Sequence, residues 1–467
     1  MLLSSDRHET DNQDAQPVSS QSEPTIALLP CAELIEDFLD HIEISFETFC
    51  KEFVGSWMFG YINALQRAGV RTVLFCISAE VTQPSRFTHA PTGATICVLP
   101  APKLYRAYRQ VQRWALNRAG VSEKSNFGNV YGLQSRRHSP VLVALKNIVK
   151  SLGSYLSTPL GTLAHELRAE NCAAILCQEY EYARFDACTL LGKWMGLPVF
   201  ATFQGGDKLQ SFLEYPMRLL AFRGCTGLLV ATQTEIERLQ LQYGVPTTKI
   251  ARIFNPVDVG TWQASDRSEA RAELGIPDNA RVVVYHGRID MYRKGLDVLL
   301  DAWELICRDR PDQDLRLLVV GTGPDAEQLS QRITTMQLRG VIWLNEFVND
   351  RTVIQRYLSA ADVYSLASRQ EGFPVAPIEA MACNLPVVAA DAPGVPDILE
   401  GGEVSGGLVV PREDATALAQ ALGRVLDDEA WGRELGDRAR SRAESCFTPE
   451  IVGKQLGDVL LSQSLNR

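Results

Sequence analysis

Short apolar runs rich in Val, Ile and Leu alternate along this chain with longer stretches in which apolar positions recur at helical spacing. The first half carries TIALLP (25–30), RTVLFCI (71–77), ATICVLP (94–100), AAILC (173–177), PVFATF (198–203) and GLLVAT (227–232). Runs of this length predict strands, and stretches such as Trp57–Ala68 and Phe185–Met195 between them predict helices. The pattern restarts with RVVVYHG (281–287), LRLLVVG (315–321), VIWLNE (341–346), DVYSLA (362–367), LPVVAAD (385–391) and GGLVV (406–410). Strand and helix in alternation predict an α/β protein with parallel sheets covered by helices on both faces. Asn255-Pro256 breaks the pattern between the halves, and a polar stretch follows it through Glu269. Two Rossmann-like domains facing each other across a cleft are the simplest architecture. The expected division is a tail over 1–23, a first domain over 24–255, a linker over 256–270 and a second domain over 271–446. Residues 447–467 are helix-compatible and close the chain.

Composition narrows the class without naming it. At 467 residues the chain is long enough for two cores, and 46% hydrophobic with 22% charged residues describes a globular protein. The longest apolar runs, such as AAILC and LLVV, are too short to cross a bilayer. The N-terminal stretch through Glu23 lacks the basic start and apolar core of a signal peptide and reads as a disordered polar tail. The eleven cysteines show no metal-ligand spacing, and Cys76, Cys97 and Cys177 fall in strand-like runs, as buried free thiols do. A cytoplasmic protein is expected. A net charge of −10 argues against nucleic acid as a partner. One region runs against that balance: Lys103 to Arg168 holds eleven Lys/Arg and two Glu.

The candidate chemistry concentrates in ASRQEGFPVAPIEAMACNLPVVAADAPG, residues 367–394. Glu371 and Glu379 are eight steps apart, which is about 800° on a continuous helix, so one helix would not present both on a face. Gly372 and Pro374 are suited to the bend that would bring them together. A helix starting near Pro374 would place Pro374 and Pro377 among its first four positions, where a missing N–H costs nothing. The N–H groups of Val375 and Ala376 would then face outward at a helix start, a place that favours an anion such as phosphate. Acceptors on either side of a phosphate site suit a sugar nucleotide.

This segment resembles the E-x7-E signature of retaining glycosyltransferases of the GT-B fold, the "group 1" family that includes sucrose- and glycogen-synthase relatives. The resemblance implies that Glu371 holds hydroxyls of a donor sugar and Glu379 the ribose hydroxyls, with Gly372, Phe373, Val375 and Ala376 also lining the donor site. It implies that Arg288 and Lys294, in the GRIDMYRKG loop after RVVVYHG, offset charge on the leaving diphosphate. It implies that Gly55, in FVGSWMFG, belongs to a glycine loop approaching the donor phosphates or the acceptor across the cleft. The final helix is expected to cross back onto the first domain. The chain departs from the family at Gln204, where a His is usual; Gln can exchange hydrogen bonds but carries no proton charge at neutral pH. Asn384 stands where a Gly is usual, and Asn tolerates the left-handed conformation.

Two further motifs read otherwise. GTGPDAEQL (321–329) nears a dinucleotide fingerprint, with Glu346 about where a ribose-binding acid would lie, and alone would suggest an NAD(P) enzyme. Pro324 removes one N–H from that cradle, so a tight strand–helix connection is the expected role. Asp312-Gln313-Asp314 has metal-binding spacing but precedes its strand, at the end away from a ligand crevice, and reads as a solvated turn. No metal or other cofactor is expected.

The expectation is a retaining, metal-independent glycosyltransferase that passes a hexose-type sugar from a nucleotide-sugar donor to a carbohydrate or lipid-linked acceptor. The alternatives are a sugar-nucleotide epimerase on the same architecture and a non-catalytic sugar-nucleotide-binding protein. KLYRAYRQVQRWALNR (103–118) mixes cations with Leu104, Tyr105, Tyr108 and Trp114, a composition compatible with peripheral contact at the inner face of an anionic membrane.

Overall fold

The computed structural model describes residues 23–42, 44–54, 57–118, 152–205, 214–348 and 350–462. Eight strands form the first sheet: β1 (Thr25–Leu29), β2 (Arg71–Ser78), β3 (Ser85–Thr88), β4 (Thr95–Pro100), β5 (Cys172–Cys177), β6 (Val199–Thr202), β7 (Gly227–Val230) and β8 (Ile250–Arg252). Six form the second: β9 (Arg281–His286), β10 (Leu315–Val320), β11 (Val341–Leu344), β12 (Val363–Leu366), β13 (Val387–Ala390) and β14 (Gly407–Val410). The spatial orders are β3-β4-β2-β1-β5-β6-β7-β8 and β11-β10-β9-β12-β13-β14. All pairings are parallel except β3 with β4.

The strands follow the apolar runs because a parallel strand covered by helices on both sides has no solvent face to keep polar. Every residue of β1, β12 and β13 is buried. Pattern reading misses two edge strands. SRFT of β3 is mostly exposed and carries no apolar run, and IAR, overlapping the ARIF segment, pairs with β7 as β8. Edge strands need only one covered neighbour, so their sequences stay mixed.

The first sheet separates two apolar layers, one around Ile26, Leu28 and Leu74, the other around Ala27, Val73 and Phe185. The second sheet has its own core, with Trp303 fully buried. Cys76, Cys97 and Cys177 are buried free thiols, and burial pushes Cys76 up to about 12, which keeps it an inert hydrophobe.

Helix Pro449–Leu461 returns to the first domain as expected. Val452, Leu456 and Leu460 join that domain's core, and Gly453 lies so close to Ala64 that a Cβ would strike the Ala64 carbonyl of helix Trp57–Arg67. Arg67 pairs with Glu450 across the same contact. Where the chain crosses, Phe254, Phe373 and Phe447 form an aromatic cluster, with Phe254 and Phe373 stacked at 5.4 Å. Among the described residues no helix is long and apolar enough to cross a membrane.

Candidate functional site

In the second sheet strand order reverses between β9 and β12, and the crevice outside such a reversal is where open α/β sheets bind ligands. The loops after these two strands are packed backbone to backbone. Gly295, at φ +58°, has no room for a Cβ against the Ala367 carbonyl. That contact sets Lys294 beside the segment that follows β12. Cβ atoms at Gly321 and Gly323 would collide with the carbonyls of Gly287 and Ile289. The GTG turn therefore serves close packing: Ile289 N–H donates to Thr322 O at 2.9 Å, and Asp325 accepts Met291 N–H at 2.8 Å. Glu346 is exposed.

Arg369 ties the two loops together. Its guanidinium grips both oxygens of Asp297 at 2.7 and 2.8 Å and donates to Tyr292 O at 3.0 Å. Burial acts to raise the Asp297 carboxyl, but the Arg369 contacts outweigh it and hold it below its usual value.

On this frame the bend does what its residues suggest. Glu371 accepts Lys294 Nζ at 2.7 and 2.9 Å and the Ser368 hydroxyl at 2.6 Å. Glu379, on helix Ala376–Ala382, lies 2.8 Å from His286 Nε2 at the end of β9. Both carboxylates act on one ring. The buried Tyr364 phenol is pushed well above its ordinary range, first by burial, then by Tyr285, Glu371 and Glu379. Arg288 is exposed, and its charge is felt in the first domain: the imidazole of His41, on helix Ile35–Ile42, is lowered by burial and then by the Arg288 charge.

Several expectations are corrected. The helix begins at Ala376 with Val375 as its cap, two residues later than Pro374, and is seven residues long. Pro377 sits inside its first turn, while Pro374 lies before it because Gly394 closes tightly on Gly372 O and Pro374. Phe373 is buried in the aromatic cluster with Phe254 and Phe447. Gln204 is partnered within the chain. Its amide exchanges hydrogen bonds with the Asn255 amide at 2.9 and 3.2 Å, and its N–H donates to Glu179 at 2.9 Å. Tyr61 adds a contact to Asn255 Oδ1 at 3.3 Å, so the amide pair fastens the start of the linker to the first domain.

Gly205 and Gly372 bring the two domains into backbone contact. A Cβ on Gly372 would come within 2.6 Å of Gly205 Cα, and one on Gly205 within 2.9 Å of Gly372 Cα. Gly55 lies outside the described residues. Asp312 and Asp314 occupy a turn before β10, with Asp314 paired to Arg316 at 2.7 Å, away from the crevice. Asn384 adopts φ +59°, the left-handed conformation a Gly would otherwise supply.

Sequence reading passed over His286. The one signal for it is a lone imidazole closing the apolar run VVVY immediately before Gly287, at the crevice end of a central strand. Asp397 also has no sequence signal. It joins the domains by accepting Gln233 N–H and Arg252, each at 2.8 Å.

Residues 280–428 match the sequence profile of the family described as "Glycosyl transferases group 1". The chain is 30% identical over 245 residues to a D-inositol 3-phosphate glycosyltransferase of Nocardioides sp. (strain ATCC BAA-499 / JS614), covering 50% of this chain and 53% of that one. It is also 30% identical over 246 residues to a GDP-mannose-dependent monoacylated alpha-(1-6)-phosphatidylinositol monomannoside mannosyltransferase of Corynebacterium glutamicum, covering 50% and 62%. The chain thus spans about half the length of the curated relatives it matches. In structure it is similar to sucrose-phosphate synthase from Thermosynechococcus elongatus, with TM-score 0.63, 19% identity, and coverage of 95% of this chain and 100% of that one. A further likeness is to Anabaena Alr3699/HepE in complex with UDP and glucose, with TM-score 0.62, 18% identity, and coverage of 94% and 99%. The motif, the crevice and these likenesses agree: residues 280–428 are similar to the glycosyl transferases group 1 family, and the whole chain has the GT-B fold.

Proposed function

We propose that this chain is a retaining glycosyltransferase that moves a hexose-type sugar from a nucleotide-sugar donor to an acceptor hydroxyl. The observation that carries the reading is the pair of differently partnered carboxylates at the switch point, Glu371 with Lys294 and Glu379 with His286. An ammonium has three donors, and Glu371 takes two of those on Lys294, so one remains for a diphosphate oxygen. Arg288, exposed in the loop after β9, supplies a second cation. Glu371 keeps lone pairs for sugar hydroxyls, and Glu379 keeps Oε1 for a ribose hydroxyl.

In such a transfer the bond from the anomeric carbon to the diphosphate oxygen breaks, and the acceptor oxygen bonds to the same face. The acceptor proton passes to the departing diphosphate. The side chains of this site are then asked mainly for charge compensation and orientation. The donor base, the sugar and the acceptor stay open in this reading. A carbohydrate or lipid-linked acceptor would sit on the first domain.

Mass action supplies the test, because a donor that binds only the folded chain raises its melting temperature. UDP-, GDP- and ADP-sugars are screened by thermal shift, and the stabilising donor is used radiolabelled in EDTA with candidate acceptors. Transfer with retained anomeric configuration in EDTA is the expected result. Donor binding without transfer or hydrolysis would replace this reading by the binding-protein one, conversion of the sugar without an acceptor by the epimerase one, and absence of binding would remove all three.

A further inference from the structure

His286 is the last residue of β9, at the point where that strand opens into the crevice. Its ring is 95% buried and sits against Tyr364, with centroids 5.3 Å apart at 65°. The Tyr364 hydroxyl contacts the His286 carbonyl at 3.3 Å, so ring and backbone are held by the same neighbour. Nε2 lies 2.8 Å from Glu379 Oε2. An ionised carboxylate can only accept, so Nε2 carries the hydrogen and donates it. Nδ1 is buried and has no hydrogen-bond partner among the described residues. A histidine kept only for stability would be expected to satisfy both nitrogens or to be replaced by an apolar side chain of similar shape. What the ring does instead is aim one N–H at one carboxylate oxygen.

We propose that His286 is a positioning residue for nucleotide binding: its Nε2–H fixes the Glu379 carboxylate so that Oε1 meets a ribose hydroxyl of a nucleoside diphosphate. The inference rests on the reading of Glu379 as a ribose ligand and adds the group that orients it. Glu379 stands in the first turn of its helix with a side chain one-fifth exposed, so without the imidazole it is free to turn toward solvent. Orientation is then supplied from a different strand, 93 residues away in sequence.

The experiment measures binding of UDP, GDP and ADP to the wild-type chain by calorimetry, then compares the tightest of these with its 2′,3′-dideoxy form. The same pair is titrated into His286→Ala, His286→Gln and Glu379→Ala, each checked for a native melting profile. Wild type is expected to prefer the ribose form about tenfold or more, the range for a hydrogen bond to a charged group. H286A is expected to lose most of that preference while binding the dideoxy form as wild type does. H286Q, whose amide N–H can occupy the place of Nε2–H, is expected to recover it.

A packing role alone would weaken both forms equally in H286A and leave the preference intact, which overturns the inference. If H286A does not fold, H286Q and E379A decide: a preference kept by H286Q and lost by E379A supports the role, whereas a folded H286Q without the preference, or a preference kept by E379A, overturns it. A wild-type chain that ignores the ribose hydroxyls, or binds none of the three diphosphates, overturns the Glu379 assignment itself and the inference with it.

Discussion

The two walls of the cleft are built by different means. On the second-domain wall backbone contact does most of the positioning, with Arg369 as a side-chain tie: Gly295 against Ala367, Gly321 against Gly287, and Gly323 against Ile289 press loop on loop with no room for a Cβ. Side chains such as Arg288, Lys294 and Glu379 are therefore not needed to hold the loops and retain bonding capacity for a ligand. On the first-domain wall side chains do the positioning. Gln204 and Asn255 close on each other, and Arg184 is spent on the carbonyls of Pro30, Ala32 and Glu33, the last at 2.8 Å. A wall held by backbone contact is preorganised for a ligand, whereas one held by its polar side chains has committed much of its chemistry to itself.

The sharpest way to break this contrast is to remove ligating groups from the second wall. Glu379→Ala and Lys294→Ala are each expected to cost about 2–4 kcal/mol of transition-state stabilisation with the fold kept, read as kcat/KM against melting temperature. Near wild-type kcat/KM in both variants, with a donor shown to be correct, would end their assignment.

Next comes the frame itself. Gly295→Ala puts a methyl group into the Ala367 carbonyl at a positive φ. A loss of about 1–3 kcal/mol in denaturant unfolding is expected, with weaker donor binding as Lys294 shifts. An unchanged unfolding midpoint would mean that this loop contact is not what places Lys294.

On the first wall, Gln204→Ala is expected to lower stability by about 1 kcal/mol, the usual scale of a lost hydrogen bond. Its effect on donor affinity should be well below that of Glu379→Ala. If instead Gln204→Ala abolishes transfer while the melting temperature holds, the first wall also contributes a ligand.

The smallest effect is expected at the outer face of the first domain. Leu104, Val111 and Trp114 are exposed on helix Lys103–Arg118, which fits contact with an anionic bilayer. Arg109 is not available for that contact, because it pairs with Asp37. Arg106→Gln is expected to weaken co-sedimentation with anionic vesicles at low salt by roughly 1 kcal/mol. Failure of the wild-type chain to bind such vesicles would remove the proposal. Arg113 belongs to the same expectation, but its side chain lies outside the described residues.

Apolar periodicity determined the two parallel sheets and the helices around them, because a buried parallel strand must be apolar along its whole length. The spacing of Glu371, Gly372 and Glu379 announced a bend bearing two acids, since no single helix could present both. Tertiary structure decided the rest. Edge strands β3 and β8 carry no pattern because only one side of each is covered. Phe373 packs in the aromatic cluster because Phe254 and Phe447, 119 and 74 residues away, offer it a dry place. The pairs His286–Glu379, Lys294–Glu371 and Gln204–Asn255 join residues 93, 77 and 51 positions apart, and a linear sequence gives no measure of such distances until strand order and loop packing bring the partners together.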